Sequence, residues 1–511
     1  MRTTSADPVA AVEKVDVLIV GGGLSGIGAA CHLTRRCPGK TYAILEARER
    51  IGGTWDLFRY PGVRSDSDMH TLGYTFRPWE EAQSLADGPS ILNYIHETAN
   101  EYHVLDKVRL QHRVIAAEWS SAESCWTATV ERTDTGETIQ IRAGFLLTCS
   151  GYYNYDEPHT PEFAGRERFQ GPIIHPQQWP EDLDYAGKRV VVIGSGATAI
   201  TLVPAMARTA GHVTMLQRSP TYVVTLPGED PLAKAARRFL PSMLAYQAVR
   251  WKNVGLMTLS YQLSRRRPRL MKGIIRKGVE RQLPEGYDVD THFTPTYNPW
   301  DQRMCVCPDG DLFRAIKKGR ASVVTDHVET LTETGIKLRS GQEIEADIII
   351  TATGLNLLPL GGVEVKVDGE ALDLPSRLTY KGMMLNGVPN AAMAIGYSNA
   401  SWTLKCDLTC EYVCRLLNHM DQHGYWQAVP VSEDPSVHPE PLLNLNSGYV
   451  LRSIENFPSQ GSKRPWKLYQ NFPLDLMFLR LGELDDGVIR FSRNGVAAHP
   501  LPAPPVVPAA A

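Results

Sequence analysis

The sequence predicts an α/β protein with two Rossmann-like dinucleotide-binding domains, the second interrupted by a helical insertion. Three observations predict it. A short β-branched run, a glycine turn and a small-residue helix occur in that order from Val15 and again from Lys188. An acidic residue follows the first turn at the spacing that ribose hydroxyls require. Between residues 231 and 283 the pattern changes to amphipathic, arginine-rich segments, read as an insertion of about 231–300.

The first unit opens with the strand Val15-Asp-Val-Leu-Ile-Val20, which runs into Gly21-Gly22-Gly23-Leu24-Ser25-Gly26. Gly21, Gly23, Ser25 and Gly26 are candidate pyrophosphate contacts, because glycine lets backbone amides and a helix N-terminus approach an anion. Thr41–Glu46 reads as the second strand, and Glu46 lies twenty positions after Gly26. The block Gly52–Asp66 is too rich in Gly, Pro, aromatic and charged residues for a regular element, and such a stretch inside a compact domain is usually functional. Val108–Ala116 and Cys125–Glu131 alternate as strands and predict a small antiparallel sheet inserted in this unit. Phe145–Gly151 is a buried strand ending in a turn where the chain crosses to the next domain.

The second unit repeats the design at Lys188–Ile193 and Gly194-Ser195-Gly196-Ala197-Thr198-Ala199-Ile200. Its partner strand ends in Gln217-Arg218-Ser219, with no acid. A carboxylate repels a 2′-phosphate and a guanidinium grips it, so Arg218 and Ser219 predict NADPH. Ala346–Gly354 is the strand by which the chain returns. Asn390–Tyr397 reads as a further strand and Ser401–Met420 as a helix. Between the two units lies Phe169–Pro180, with three prolines that favour extended or turn geometry. The expected division is 12–155 with 356–490, a linker at 156–185, 186–355, and a disordered Pro/Ala tail at 491–511.

A formal net charge of −3 excludes a general attraction to nucleic acid. No run of about 18 apolar residues suggests a membrane span, and the first residues lack a secretory apolar stretch. Nine scattered cysteines then predict reduced thiols in the cytoplasm. Cys406, Cys410 and Cys414 share a helical face, and Cys305 and Cys307 lack further ligands, so packing is expected and no metal site. The basic insertion admits two readings: a solvated face, or peripheral attachment to an anionic membrane surface.

The spacing F-x-G-x-x-x-H-x-x-x-W-P, carried by Phe169, Gly171, His175 and Trp179, resembles the fingerprint of Baeyer–Villiger monooxygenases, the class B flavoprotein monooxygenases. The block GGTWDLFRYPGVRSDSD resembles their ethionamide-activating subgroup. That resemblance implies FAD in the first unit, touched by Thr54, Trp55, Asp56, Leu57, Arg64, Ser65, Asp66 and the Val114 backbone. It implies Asp66 and Arg303 as the catalytic pair, with Gln302 where the wider family often has Lys. His175 and its neighbours would govern domain motion. The implied reaction uses NADPH and O2 to convert a ketone to an ester or lactone through a C4a-peroxyflavin, with sulfoxidation of thioethers or thioamides. Alternatives are a flavin N- or S-monooxygenase, and an NADPH oxidase or redox-sensing flavoprotein. No cysteine pair follows Gly53, as a flavin disulfide reductase would need.

Overall fold

The computed structural model of the chain describes residues 12–493. The first unit is built on one nine-stranded sheet. Its parallel part runs, in spatial order, Val108–Arg109, Tyr42–Leu45, Glu13–Val20, Thr138–Thr148 and Ala391–Met393. The central strand is nearly continuous in apolar side chains because both its faces are covered. Helices Leu24–Arg36 and Trp402–His423 pack on one side. Cys406, Cys410 and Cys414 lie in that second helix, buried in the core as small apolar groups.

The antiparallel strands His112–Ser120 and Cys125–Arg132 are not a separate inserted sheet. They continue the same sheet through Thr138–Thr148, whose first half pairs antiparallel with Cys125–Arg132 and whose end pairs parallel with Ala391–Met393. The expected single strand Val108–Ala116 is broken at Gln111, which takes a positive φ of 60°. Its first residues pair parallel with Tyr42–Leu45 and the remainder turns to pair antiparallel, so one straight strand cannot serve both neighbours. The strand Ile489–Ser492 pairs with Gln427–Pro430, so regular structure runs two residues into the expected tail; positions 494–511 of that tail lie outside the described residues.

The second unit has five parallel strands in the order Ala321–Thr325, His212–Gln217, Arg189–Ile193, Ile348–Thr351 and Ile173–Ile174. The edge strand belongs to the segment read as linker. One face packs on helices Ala197–Met206 and Asp311–Lys317. The other packs on a three-stranded sheet formed by Val328–Thr332, Gly335–Leu338 and Glu343–Glu345.

The units interlock. Phe58 and Tyr60 of the first enter the core of the second. The insertion consists of helices Pro231–Phe239, Ser242–Arg266, Pro268–Glu280 and Val289–Phe293, and it docks back on the first unit through Tyr246 and Val254. Arg250, buried, donates to the carbonyls of His70 and Gly73 at 2.8 Å each and lies 3.8 Å from the Asp407 carboxylate. Asp407 also meets His32 Nε2 at 3.1 Å and accepts from the Thr75 amide at 2.8 Å. Burial pushes the Asp407 carboxyl up, but His32, Arg250 and Thr75 outweigh it and hold it below the usual range.

A folded value below the unfolded one gives stability that is present above the unfolded pKa of about 4 and is lost as pH falls through the folded value. Asp407→Asn leaves Arg250 short of its counter-charge and is expected to cost about 3 kcal/mol at neutral pH. A lower thermal midpoint at pH 7, with the gap to wild type closing on acidification, checks this.

Candidate active site

A cavity of about 1020 Å³ opens between the two units, and both glycine turns face it. The first helix begins at Leu24 after Gly23 and the second at Ala197 after Gly196, and neither has a side-chain N-cap. The helices starting at Gly88, Pro231 and Phe472 are instead capped by Asp87, Asp230 and Asn471. Uncapped amides beside a cavity suit phosphate oxygens.

Gly21, Gly23 and Ser25 line the cavity. Gly26 does not; a Cβ there would lie 1.9 Å from the Gly21 carbonyl, so glycine is needed for the helix to close on the turn. Ser25 Oγ accepts from Trp402 Nε1 at 2.8 Å, which ties the turn to the start of the Trp402–His423 helix. Glu46 is buried at the cavity wall, and its carboxylate accepts from the amides of Gly22 at 2.7 Å and Arg48 at 3.0 Å. Burial pushes its pKa up, against those hydrogen bonds. Thr54, Trp55, Leu57, Arg64, Ser65, Asp66 and Val114 line the cavity. Asp56 does not. It is buried among Arg48, Arg50 and Arg59, at 2.8, 3.1 and 2.6 Å, where it braces the Gly52–Asp66 turn. Arg64 also joins the two units, pairing at 2.5 Å with Asp311 of the second.

In the second turn Gly194, Ser195, Gly196, Ala197 and Thr198 line the cavity, whereas Ala199 and Ile200 are fully buried against the sheet. Rotation along this helix turns these two into the core, so they shape the cradle and do not face it. A Cβ at Gly196 would meet nothing within 4 Å, which leaves open space at the helix end. Arg218 and Ser219 are exposed at the rim, and Ser195 Oγ donates to the Ser219 carbonyl at 3.1 Å. Among the described residues Arg218 has no ion-pair partner. Gln217 points inward, donating to the His292 carbonyl and Thr325 Oγ1, each at 2.8 Å.

Asp66 and Arg303 face the same cavity from opposite units. Among the described residues neither side chain has a hydrogen bond or an ion pair within 4.0 Å, yet each feels the other's charge. Burial pushes the Asp66 carboxyl up, and Arg303, then Arg64, pull it back only in part. Burial works against the Arg303 cation, but Asp66, followed by Tyr152, Tyr153 and Tyr449, more than restores it. A buried phenol such as Tyr152 or Tyr449 is itself pushed up and stays neutral near pH 7, so Asp66 is the operative counter-charge.

The fingerprint residues tie the two chain crossings together. His175 Nδ1 accepts from the Gln177 amide at 3.1 Å, so Nε2 carries the hydrogen and donates to the Gly354 carbonyl at 3.1 Å. His175 is half-buried at the cavity, and burial lowers its pKa. Phe169 and Trp179 pack on the second unit, on its two opposite faces. A Cβ at Gly171 would lie 2.3 Å from the Asp347 carbonyl. Sequence reasoning missed Tyr152, Tyr155, Trp402, Tyr449 and Arg452, which also line the cavity. Tyr152 and Tyr155 follow directly on the Gly151 turn, a signal that could have found them. Tyr449 and Arg452 come from a distant loop with none.

This is the architecture of a two-nucleotide oxidoreductase. A model described as flavin-binding monooxygenase-like matches residues 74–360, and one described as an NAD(P)-binding Rossmann-like domain matches residues 19–87. The chain belongs to the flavin-binding monooxygenase-like family. It is 55% identical over 483 residues to the FAD-containing monooxygenase EthA of Mycobacterium tuberculosis (strain ATCC 25618 / H37Rv), covering 94% of this chain and 98% of that protein. It is 53% identical over 486 residues to EthA of Mycolicibacterium smegmatis, covering 95% and 98%. A solved structure, oxidized steroid monooxygenase bound to NADP, matches with a TM-score of 0.75 at 21% identity over 94% of this chain and 100% of that one, a likeness of fold.

The free guanidinium at Arg218 generates a kinetic prediction. Losing charge-assisted bonds to a 2′-phosphate costs about 1.5–3 kcal/mol, so Arg218→Ala is expected to raise the Michaelis constant for NADPH roughly 10- to 100-fold. The constant for NADH, which lacks that phosphate, is expected to change little; steady-state kinetics with both reductants checks it.

Proposed function

We propose that this chain is a Baeyer–Villiger monooxygenase, converting a ketone, O2, NADPH and a proton to an ester or lactone, NADP+ and water. Thioethers and thioamides are further substrates in this reading. The observation that carries it is the pair Asp66 and Arg303: two charges without hydrogen bonds to the described residues, facing one cavity into which both nucleotide turns also open. Bound FAD and NADPH supply hydride transfer and O2 activation.

The chain's own residues supply the rest. The uncapped helix ends at Leu24 and Ala197 would hold the two pyrophosphates, Glu46 would meet a ribose, and Arg218 and Ser219 would meet the 2′-phosphate. Arg303 places a fixed cation where negative charge develops on oxygen, in a cavity whose burial strengthens the interaction. Asp66 keeps that cation matched while no other anion is present. The tyrosine-lined wall, neutral near pH 7, excludes water without adding a competing charge. His175 holds the crossings in register and allows the units to move as a pair.

Arg303→Ala is expected to leave NADPH oxidation measurable and to reduce ester formation at least about 100-fold, on the scale of a lost electrostatic stabiliser. Stopped-flow absorbance with product mass spectrometry checks it, and ester formed at the wild-type rate would overturn the reading. Because burial raises the Asp66 pKa, acidification neutralises Asp66 earlier than an ordinary carboxyl and leaves Arg303 unmatched. The rate of flavin reduction is therefore expected to fall on the acid side in wild type, and Asp66→Asn is expected to lose that limb.

A further inference from the structure

We propose that the helical insertion is a docking surface for an anionic lipid bilayer. From Pro231 to Val279 the chain carries twelve lysines and arginines and no aspartate or glutamate. Ten of those cations divide by position. Arg237, Arg250, Lys252, Arg265 and Arg276 turn inward or sideways, to Glu80, to the His70 and Gly73 carbonyls, and to Asp230, Asp301 and Asp290. Arg238, Arg266, Arg267, Arg269 and Lys277 are exposed and, among the described residues, without an ion pair. Structural pairing therefore accounts for the first group and leaves the second unexplained.

The same helices expose apolar side chains in a continuous pattern. In Ser242–Arg266 the exposed positions Leu244, Ala248, Trp251, Gly255 and Leu259 follow helical spacing along one face, with Leu244 59% and Leu259 65% exposed. Phe239, 79% exposed, ends the preceding helix, and Leu270 and Ile274 are exposed one turn apart on the next. Trp251, itself 48% exposed, meets Phe472 of the first unit with ring centroids 5.9 Å apart, which fixes this helix against the first unit. Isolated exposed apolar residues need no explanation, but a face of exposed apolar residues along one helix, with further large ones on both flanking helices, does.

Three occupants could cover such a stripe, and charge chooses between them. A second copy of the chain related by a two-fold axis would bring the same unpaired arginines of each copy together. A soluble polyanion would satisfy the arginines and leave Phe239 and Leu259 in water. An anionic bilayer satisfies both, with the stripe in the acyl boundary and the guanidinium groups at the headgroups. Among the described residues no helix is long and apolar enough to cross a membrane, so the contact is a surface one.

The test is co-sedimentation of the full-length, flavin-loaded protein with phosphatidylcholine vesicles, with and without phosphatidylglycerol. Binding is expected to rise on the order of tenfold or more with phosphatidylglycerol and to weaken with salt. Arg266→Glu/Arg267→Glu/Arg269→Glu is expected to abolish the phosphatidylglycerol dependence. Phe239→Ser/Leu259→Ser is expected to lower binding about tenfold or more at every salt concentration. Flavin content, thermal midpoint and NADPH oxidation in vesicle-free solution should match wild type in both variants, which separates this proposal from the one on the cavity. Equal binding to both vesicle types, or variants that bind like wild type, would overturn it. So would a dimer in solution that the Phe239/Leu259 variant dissolves.

Discussion

The geometry of the cavity depends on the two places where the chain passes between the units. The outgoing strand Tyr153–Pro158 and the returning strand Leu355–Leu357 pair antiparallel, so the crossings form one ribbon. His175 and Gln177 sew that ribbon to the second sheet. Gln177 donates to the carbonyls of Asn154 and Tyr155 at 2.9 Å each, and Thr353 Oγ1 donates to the His159 carbonyl at 2.9 Å. Loss of any one of these bonds leaves a backbone group without its partner close to the cavity, which is costly where water is scarce. The fingerprint is therefore a set of residues chosen by backbone needs: a ring with both nitrogens used, a glycine that passes a carbonyl, and two aromatic anchors.

Within that frame the electrostatics are unusual for a protein interior. Arg48, Arg50 and Arg59 surround Asp56, and Arg64 pairs with Asp311, so these charges near the first turn each have an opposite charge in contact. Among the described residues Arg303 and Asp66 lack such a contact. Each is stabilised across space and not by contact, a less favourable arrangement than a salt bridge. A pair that does not touch leaves room for a ligand between its members, and a fold selected for stability alone would have closed the gap.

The parallel sheets, both glycine turns, Glu46 and the long C-terminal helix were legible in the sequence, because local pattern and tertiary burial agree at those places. The remainder was hidden for specific reasons. Asp56 sits in a block rich in cavity-lining residues, and only the placement of Arg48, Arg50 and Arg59 around it reveals that it turns away. Ala199 and Ile200 belong to the motif, yet helical rotation turns them into the core. Val108–Ala116 alternates throughout, and its break at Gln111 is dictated by two different partner strands. Arg250 read as one basic residue among many; its burial depends on carbonyls contributed by residues 70 and 73. Short-range periodicity cannot report such long-range partners.

The exchange of core residues between the halves bears on how such proteins can diversify. Phe58 and Tyr60 fill the hydrophobic interior of the partner half, and Tyr246 and Val254 return the arrangement. A chimera joined at the crossings alone would inherit mismatched plugs and sockets. Recombination between related genes is therefore expected to succeed only when the 52–66 loop travels with the nicotinamide half and the 231–293 helices travel with the surface that receives them. The two halves evolve as one inheritance unit despite looking like two modules.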